Sequence, residues 1–168
     1  MTKRSGATAQ PGTTDGTGMP PERQGVAPEA HGVESELELI VRSTEIDVNG
    51  HVNNAKFLEY LEWGREDWYE RCGFDYETLR RLGVVTVVAH VSANYRREAF
   101  QNDRLRVRTR LTSVGNTSMR MGQWITNQRD ELVLDAEFVV VTVDPGTRKP
   151  VRVPDAFRAH VMPPLVSG

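Results

Sequence analysis

The chain has 168 residues, a formal charge of -2 and a single cysteine. That length predicts one domain with some chain left over, large enough to bury a core without disulfides or a structural metal. Cys72 alone excludes an internal disulfide framework and any multi-cysteine metal site, and the slight acidity argues against a general nucleic-acid binder.

Residues 1–33 are rich in Gly, Pro, Thr, Ala and Gln, as in Gln10-Pro11-Gly12-Thr13-Thr14, and carry no aromatic ring and no hydrophobic period. Such a composition cannot offset its own ordering entropy, which predicts a disordered tail followed by a folded domain over 34–168. Lys3 and Arg4 give the start the basic character of a signal peptide, but no apolar stretch follows them. The longest apolar run, Phe138-Val139-Val140-Val141, falls far short of the roughly 20 residues a spanning helix needs. A cytoplasmic protein with no membrane segment is expected.

Leu37, Leu39 and Val41 alternate with Glu38, Ile40 and Arg42, predicting a short strand. A polar stretch over 43–53 follows, and then one long helix over 54–72. At about 100° per residue, Phe57, Leu61, Gly64, Trp68 and Cys72 fall on one side, flanked by Leu58, Tyr60 and Tyr69. Glu59, Glu62, Glu66 and Glu70 take the opposite arc, and Gly73 stands where a C-capping glycine belongs. A second, short helix is predicted over 76–82, ending at Gly83. Strands follow over 84–97, 104–114, 119–126 and 132–143, with hairpin-length links. That order implies an antiparallel sheet with a helix packed on one face, an α+β architecture.

Several chemistries lack their parts. There is no GxGxxG or GxxxxGK[ST] loop, no GxSxG elbow and no HExxH. His31, His51, His90 and His160 are too scattered to propose a metal site. The informative stretch is Asp47-Val48-Asn49-Gly50-His51-Val52-Asn53-Asn54-Ala55-Lys56-Phe57-Leu58-Glu59-Tyr60-Leu61-Glu62. It puts a carboxylate, a glycine and two asparagines directly before a buried helix. A helix start offers unpaired N–H groups and a partial positive charge, which suit a carbonyl oxygen becoming an oxyanion. A carboxylate on the preceding loop can attack that carbonyl or activate water.

This pattern resembles the signature of hotdog-fold thioesterases of the 4-hydroxybenzoyl-CoA type, closest to the bacterial branch acting on longer acyl chains. Ala93-Asn94-Tyr95-Arg96-Arg97 is similar to the end of that family's second strand, and Glu98 stands where relatives carry proline. The resemblance implies a five-stranded antiparallel sheet wrapped around one long helix, assembled as a homodimer or homotetramer with active sites between subunits. It implies Asp47 as catalytic carboxylate and Asn54 as the residue whose backbone N–H polarises the thioester carbonyl. His51 and Asn53 would shape the substrate pocket, and Arg96 and Arg97 would meet the phosphates of coenzyme A or phosphopantetheine. The substrate is then an acyl-CoA or acyl-carrier protein, with no cofactor beyond the thiol carrier and no metal.

Plainer readings stand beside these. Asp47 in Asp-x-x-Gly also suits a turn, and Asn53 a helix N-cap. Arg104, Arg106, Arg108 and Arg110 form a stripe expected to be a solvated strand face, pairing across to acids such as Asp135 and Glu137. Trp63, Trp68 and Trp124 read as core or interface, and Cys72 as packing. Two rival functions stay open: a dehydratase or isomerase on the same thioesters, using His51 with Asp47, and a non-catalytic acyl-CoA-binding module.

Overall fold

A computed structural model describes residues 32–163. The predicted tail lies outside the described residues except for its last two positions. There Val33 packs against the core and its carbonyl accepts a 2.9 Å hydrogen bond from Trp68 Nε1.

The elements run β1 (Glu34–Ile40), a 3-10 turn (Ser43–Glu45), α1 (Asn54–Arg71), α2 (Tyr76–Arg81), β2 (Val85–Tyr95), β3 (Arg104–Val114), β4 (Ser118–Thr126), β5 (Leu132–Val143) and a 3-10 helix (Asp155–His160). Local chemistry sets the helix ends. The Asn53 side chain accepts the Ala55 N–H at 2.8 Å and so caps α1. At the other end Gly73 turns at φ +73°, its N–H reaching Glu70 O and the Phe74 N–H reaching Tyr69 O. The same double bond closes α2 at Gly83 and Val84. Both glycines were expected, because only glycine enters this left-handed backbone without strain.

All five strands pair antiparallel, in the order β1-β3-β4-β5-β2. The link 96–103 is short enough for a hairpin, yet it joins strands that are not neighbours: β2 pairs with β5, and β3 with β1 and β4. On β3, Leu105, Val107, Thr109 and Leu111 are all fully buried while the arginines face out, as the alternation predicts. The arginines' partners differ from expectation. Arg108 pairs with Glu36 at 2.7 Å, Arg110 with Glu34 and Arg106 with Asp130. Asp135 and Glu137 lie on β5, beyond β4, and pair with Arg96 and Arg120 instead. The stripe is an ion-paired strand face, with β1 supplying Glu34 and Glu36 and the turn before β5 supplying Asp130.

Helix α1 lies across the sheet face that carries these apolar residues. Phe57, Tyr60, Leu61, Gly64 and Trp68 are buried, whereas Leu58 and Trp63 are exposed and Trp124 is half-buried. Gly64 marks the closest approach: a Cβ there would sit 2.6 Å from Val107 Cγ1. A polar bolt crosses the same interface. Gln123 Nε2 donates to Leu61 O and to Thr109 Oγ1, both at 2.8 Å, and Gln123 Oε1 accepts from Arg65 Nη1 at 3.0 Å. The Arg65 guanidinium sits 3.9 Å from the centroid of the Phe138 ring, and the residue as a whole is buried. Both side chains lie in the helix–sheet interface, so α1 is fixed along its axis as well as pressed onto the sheet.

Candidate active site

The loop before α1 is held in shape by its own backbone. Ile46 and Val52 form an isolated bridge, the Asp47 N–H donates to His51 O at 2.9 Å, and the Gly50 N–H returns to Asp47 O at 3.0 Å. Gly50 takes φ +85° at this bend, the conformation that requires glycine. The Val52 N–H bonds Ala99 O at 2.9 Å and ties the loop to the link after β2. The loop therefore presents Asp47 from a fixed frame. One carboxylate oxygen, Oδ1, accepts the Asn49 N–H at 2.8 Å, an Asx turn as the plainer reading allows, and the side chain keeps 18% of its surface exposed.

A cleft of about 420 Å³ opens beside this loop. Asp47, His51, Asn54, Arg96 and Arg97 all line it, together with Phe57, Tyr95 and Glu98. Asn53 does not; its side chain is spent on the helix cap. The Asn54 N–H, first in the helix, has no acceptor among the described residues. No acidic residue occupies the first turn of α1, so the positive end of this 18-residue helix is not offset from within the helix itself. A carbonyl oxygen placed at that amide would gain stabilisation as it becomes negative.

His51 Nδ1 lies 3.9 Å from Asp47 Oδ1, too far for a hydrogen bond, and 3.2 Å from Val52 O. The two arginines differ. Arg96 Nε holds Asp135 Oδ1 at 2.6 Å, and Asn94 Nδ2 holds Oδ2 of the same carboxylate at 2.8 Å. Burial alone would raise the Asp135 carboxyl, but these hydrogen bonds and the Arg96 charge outweigh it and keep the group below its ordinary value. Arg97 has no carboxylate within ion-pair distance among the described residues. Tyr95 closes β2, within the strand end that resembles the family's. Its hydroxyl donates to Asn54 O at 3.1 Å, a contact between residues 41 apart that no local pattern announces. Among the described residues, no group of three or more His, Cys, Asp or Glu side chains is gathered as metal ligands would be.

A family model described as the Thioesterase-like superfamily matches residues 41–161. The chain is similar to the long-chain acyl-CoA thioesterase FadM of Escherichia coli, 31% identical over 73% of this chain and 93% of that protein. It is 30% identical to the acyl-CoA thioester hydrolase YbgC of E. coli over 69% of this chain and 87% of the relative. Among solved structures, the probable thioesterase YbaW of E. coli superposes with a TM-score of 0.68 at 30% identity, covering 74% of this chain and 94% of that one. The sheet order and the single long helix are those of the hotdog fold that the motif implied.

Proposed function

Because the chain belongs to the thioesterase-like superfamily and is a thioester hydrolase, we propose that it cleaves acyl-coenzyme A or acyl-carrier protein at the cleft before α1. One observation carries the proposal: the Asp47 carboxylate and the unpaired Asn54 amide line the same cleft, at a helix start free of acidic neighbours. The thioester oxygen accepts the Asn54 N–H. Asp47 then follows one of two routes. It takes a proton from a water that attacks the carbonyl carbon, the C–S bond breaking and the proton passing to the leaving thiolate. Or it attacks the carbon itself, expelling the thiolate to leave an acyl–Asp47 anhydride that a water cleaves to the free acid and the regenerated carboxylate. No cofactor enters the scheme, since coenzyme A or phosphopantetheine arrives as part of the substrate.

His51 and Arg97 border the path of the substrate, with Arg97 the better placed cation for a phosphate because Arg96 is already engaged. Asn53 acts through the helix cap. The rival dehydratase scheme calls for a histidine and a carboxylate working as a pair, and His51 turns its Nδ1 to Val52 O instead. The proposal extends to a cytoplasmic enzyme assembled at least as a homodimer. β2 is an edge strand with Val87, Val88 and Val91 exposed, the kind of edge that a second copy covers. Among the described residues no helix is long and apolar enough to cross a membrane.

The test is thiol release from a panel of short, long and aromatic acyl-CoAs and one acyl-carrier protein, run on the wild type and Asp47→Asn. The variant is expected to fold and to lose at least about 10²-fold in kcat on its best substrate. Near-normal turnover by Asp47→Asn would falsify the assignment.

A further inference from the structure

The first turn of α1 has to keep one amide aimed at a reacting oxygen, and helix ends fray. Besides the ordinary bonds of the helix, its local ties include the Asn53 N–H to Glu45 O, the Ala55 N–H to Asn53 Oδ1, and the Lys56 N–H to Asn53 O, each near 2.9 Å. One side chain from the sheet joins them. Tyr95, the last residue of β2, donates its hydroxyl to Asn54 O at 3.1 Å. Its ring meets buried Phe57 edge to face, with centroids 5.8 Å apart and planes at 68°. We propose that Tyr95 is a positioning residue for hydrolysis, holding the Asn54 amide in line with the thioester; this rests on the reading of Asp47 and Asn54 given above.

The reasoning is geometric. The Asn54 carbonyl and the Ala55 N–H belong to one rigid peptide unit. That unit is gripped at both ends, by Tyr95 Oη on its oxygen and by Asn53 Oδ1 on its nitrogen. Only the φ and ψ of Asn54 separate it from the preceding unit, which carries the amide proposed to meet the substrate. Asn54 O also accepts the helix bond along the axis, so Tyr95 adds a lateral constraint; with either side-chain grip removed, the plane gains freedom to tilt, and the amide with it. Tyr95 is also 48% exposed, so water can replace the lost partner, and the effect on global stability should be small.

Tyr95→Phe keeps the ring and removes only the hydroxyl. We expect kcat to fall by about 3–10-fold, KM to stay within about twofold, and the melting temperature to move by less than about 2 °C, the scale of one exposed hydrogen bond. Asn53→Ala acts on the same peptide unit, so the loss in the double variant should be smaller than the product of the two single losses. Wild-type kcat in Tyr95→Phe would overturn the proposal. So would a loss confined to KM, a collapse in melting temperature, or independent multiplication with Asn53→Ala. Asp47→Asn, assayed alongside, separates the two layers. If it retains turnover, the reading of the whole site fails; if it is inactive while Tyr95→Phe is normal, only the role of Tyr95 fails.

Discussion

Two clefts lie along α1, and they meet opposite ends of its dipole. The one at the helix start holds about 420 Å³; the other, beside the second half of the helix and α2, holds about 510 Å³. The larger is walled by Glu62, Glu66, Glu70 and Asp75, near the helix end that already carries partial negative charge. Its one buried cation, Arg65, is occupied by Gln123 Oε1 and the Phe138 ring, and burial lowers the affinity of the guanidinium for its proton. Burial pushes the neighbouring Tyr69 phenol up to about 12, so it stays neutral. An oxyanion forming there would face four carboxylates. At the smaller cleft it would face an unpaired N–H and a helix start with no acid in its first turn. Volume alone favours the larger cleft; the sign of the field favours the smaller one.

The largest expected effect comes from removing one carboxylate at each end. Asp47→Asn should lower kcat by at least about 10²-fold, whereas Glu66→Gln should leave it within about twofold. Equal losses would erase the distinction between the clefts. Next in size is Gln123→Leu, which takes from Arg65 the side-chain acceptor it has in the structure and unties Leu61 O from the sheet. Leaving a buried charged group without its acceptor should destabilise the fold by about 2–3 kcal/mol, read from denaturant unfolding. An unchanged unfolding free energy would mean that the second half of α1 is seated by apolar packing alone.

How far this arrangement could be read from the sequence depends on whether the signal was local. The cap at Asn53, the turns at Gly73 and Gly83 and the inward row on β3 rest on bonds or periods spanning a few residues, and each stands where it was expected. The strand order does not, because β2 and β5 are joined by pairing across the whole domain. The expected partners of the arginine stripe, Asp135 and Glu137, fail for that reason: β1 and β4, not β5, lie beside β3. The bolt at Arg65 does carry a local signal: it lies four residues after Leu61 and three before Trp68, on the apolar side of the helix. Gln123 likewise interrupts the inward row of Met119, Met121 and Ile125 on β4. One motif and one strand end carry Asp47, Asn54, His51, Arg96 and Arg97, and these five line one cleft. Tyr95 lies within that strand end, yet its bond to Asn54 is long-range and carries no mark in the chain.

Within the smaller cleft the same comparison separates the two arginines. Arg97, with no carboxylate partner among the described residues, should be free to meet a phosphate, and Arg97→Ala is expected to raise KM for acyl-CoA by about 3–5-fold with kcat retained. Arg96→Ala should raise it by less than about twofold, because its guanidinium is committed to Asp135. The reverse ranking would exchange their roles. Comparing acyl-CoA with an acyl-pantetheine that lacks the nucleotide phosphates sharpens the test, since the Arg97 effect should vanish with the phosphates.

If Arg96 is structural, its signature lies in acid stability. Asp135 is held below its ordinary value in the folded protein, against the upward push of burial, by hydrogen bonds from Arg96 and Asn94. A carboxyl with a lower value folded than unfolded binds fewer protons in the native state. Its contribution is therefore complete above the ordinary carboxyl value of 3.8 and is lost as pH falls through the depressed folded value. In Arg96→Ala the main source of that depression is gone, and only the Asn94 hydrogen bond is left to oppose burial. The gap in urea midpoint between wild type and variant should thus be constant from about pH 7 to pH 5 and close on acidification toward about pH 3. A gap that persists unchanged at low pH would mean that Arg96 stabilises the fold by packing its stem rather than by its charge, and Arg96 would again compete with Arg97 for the phosphate.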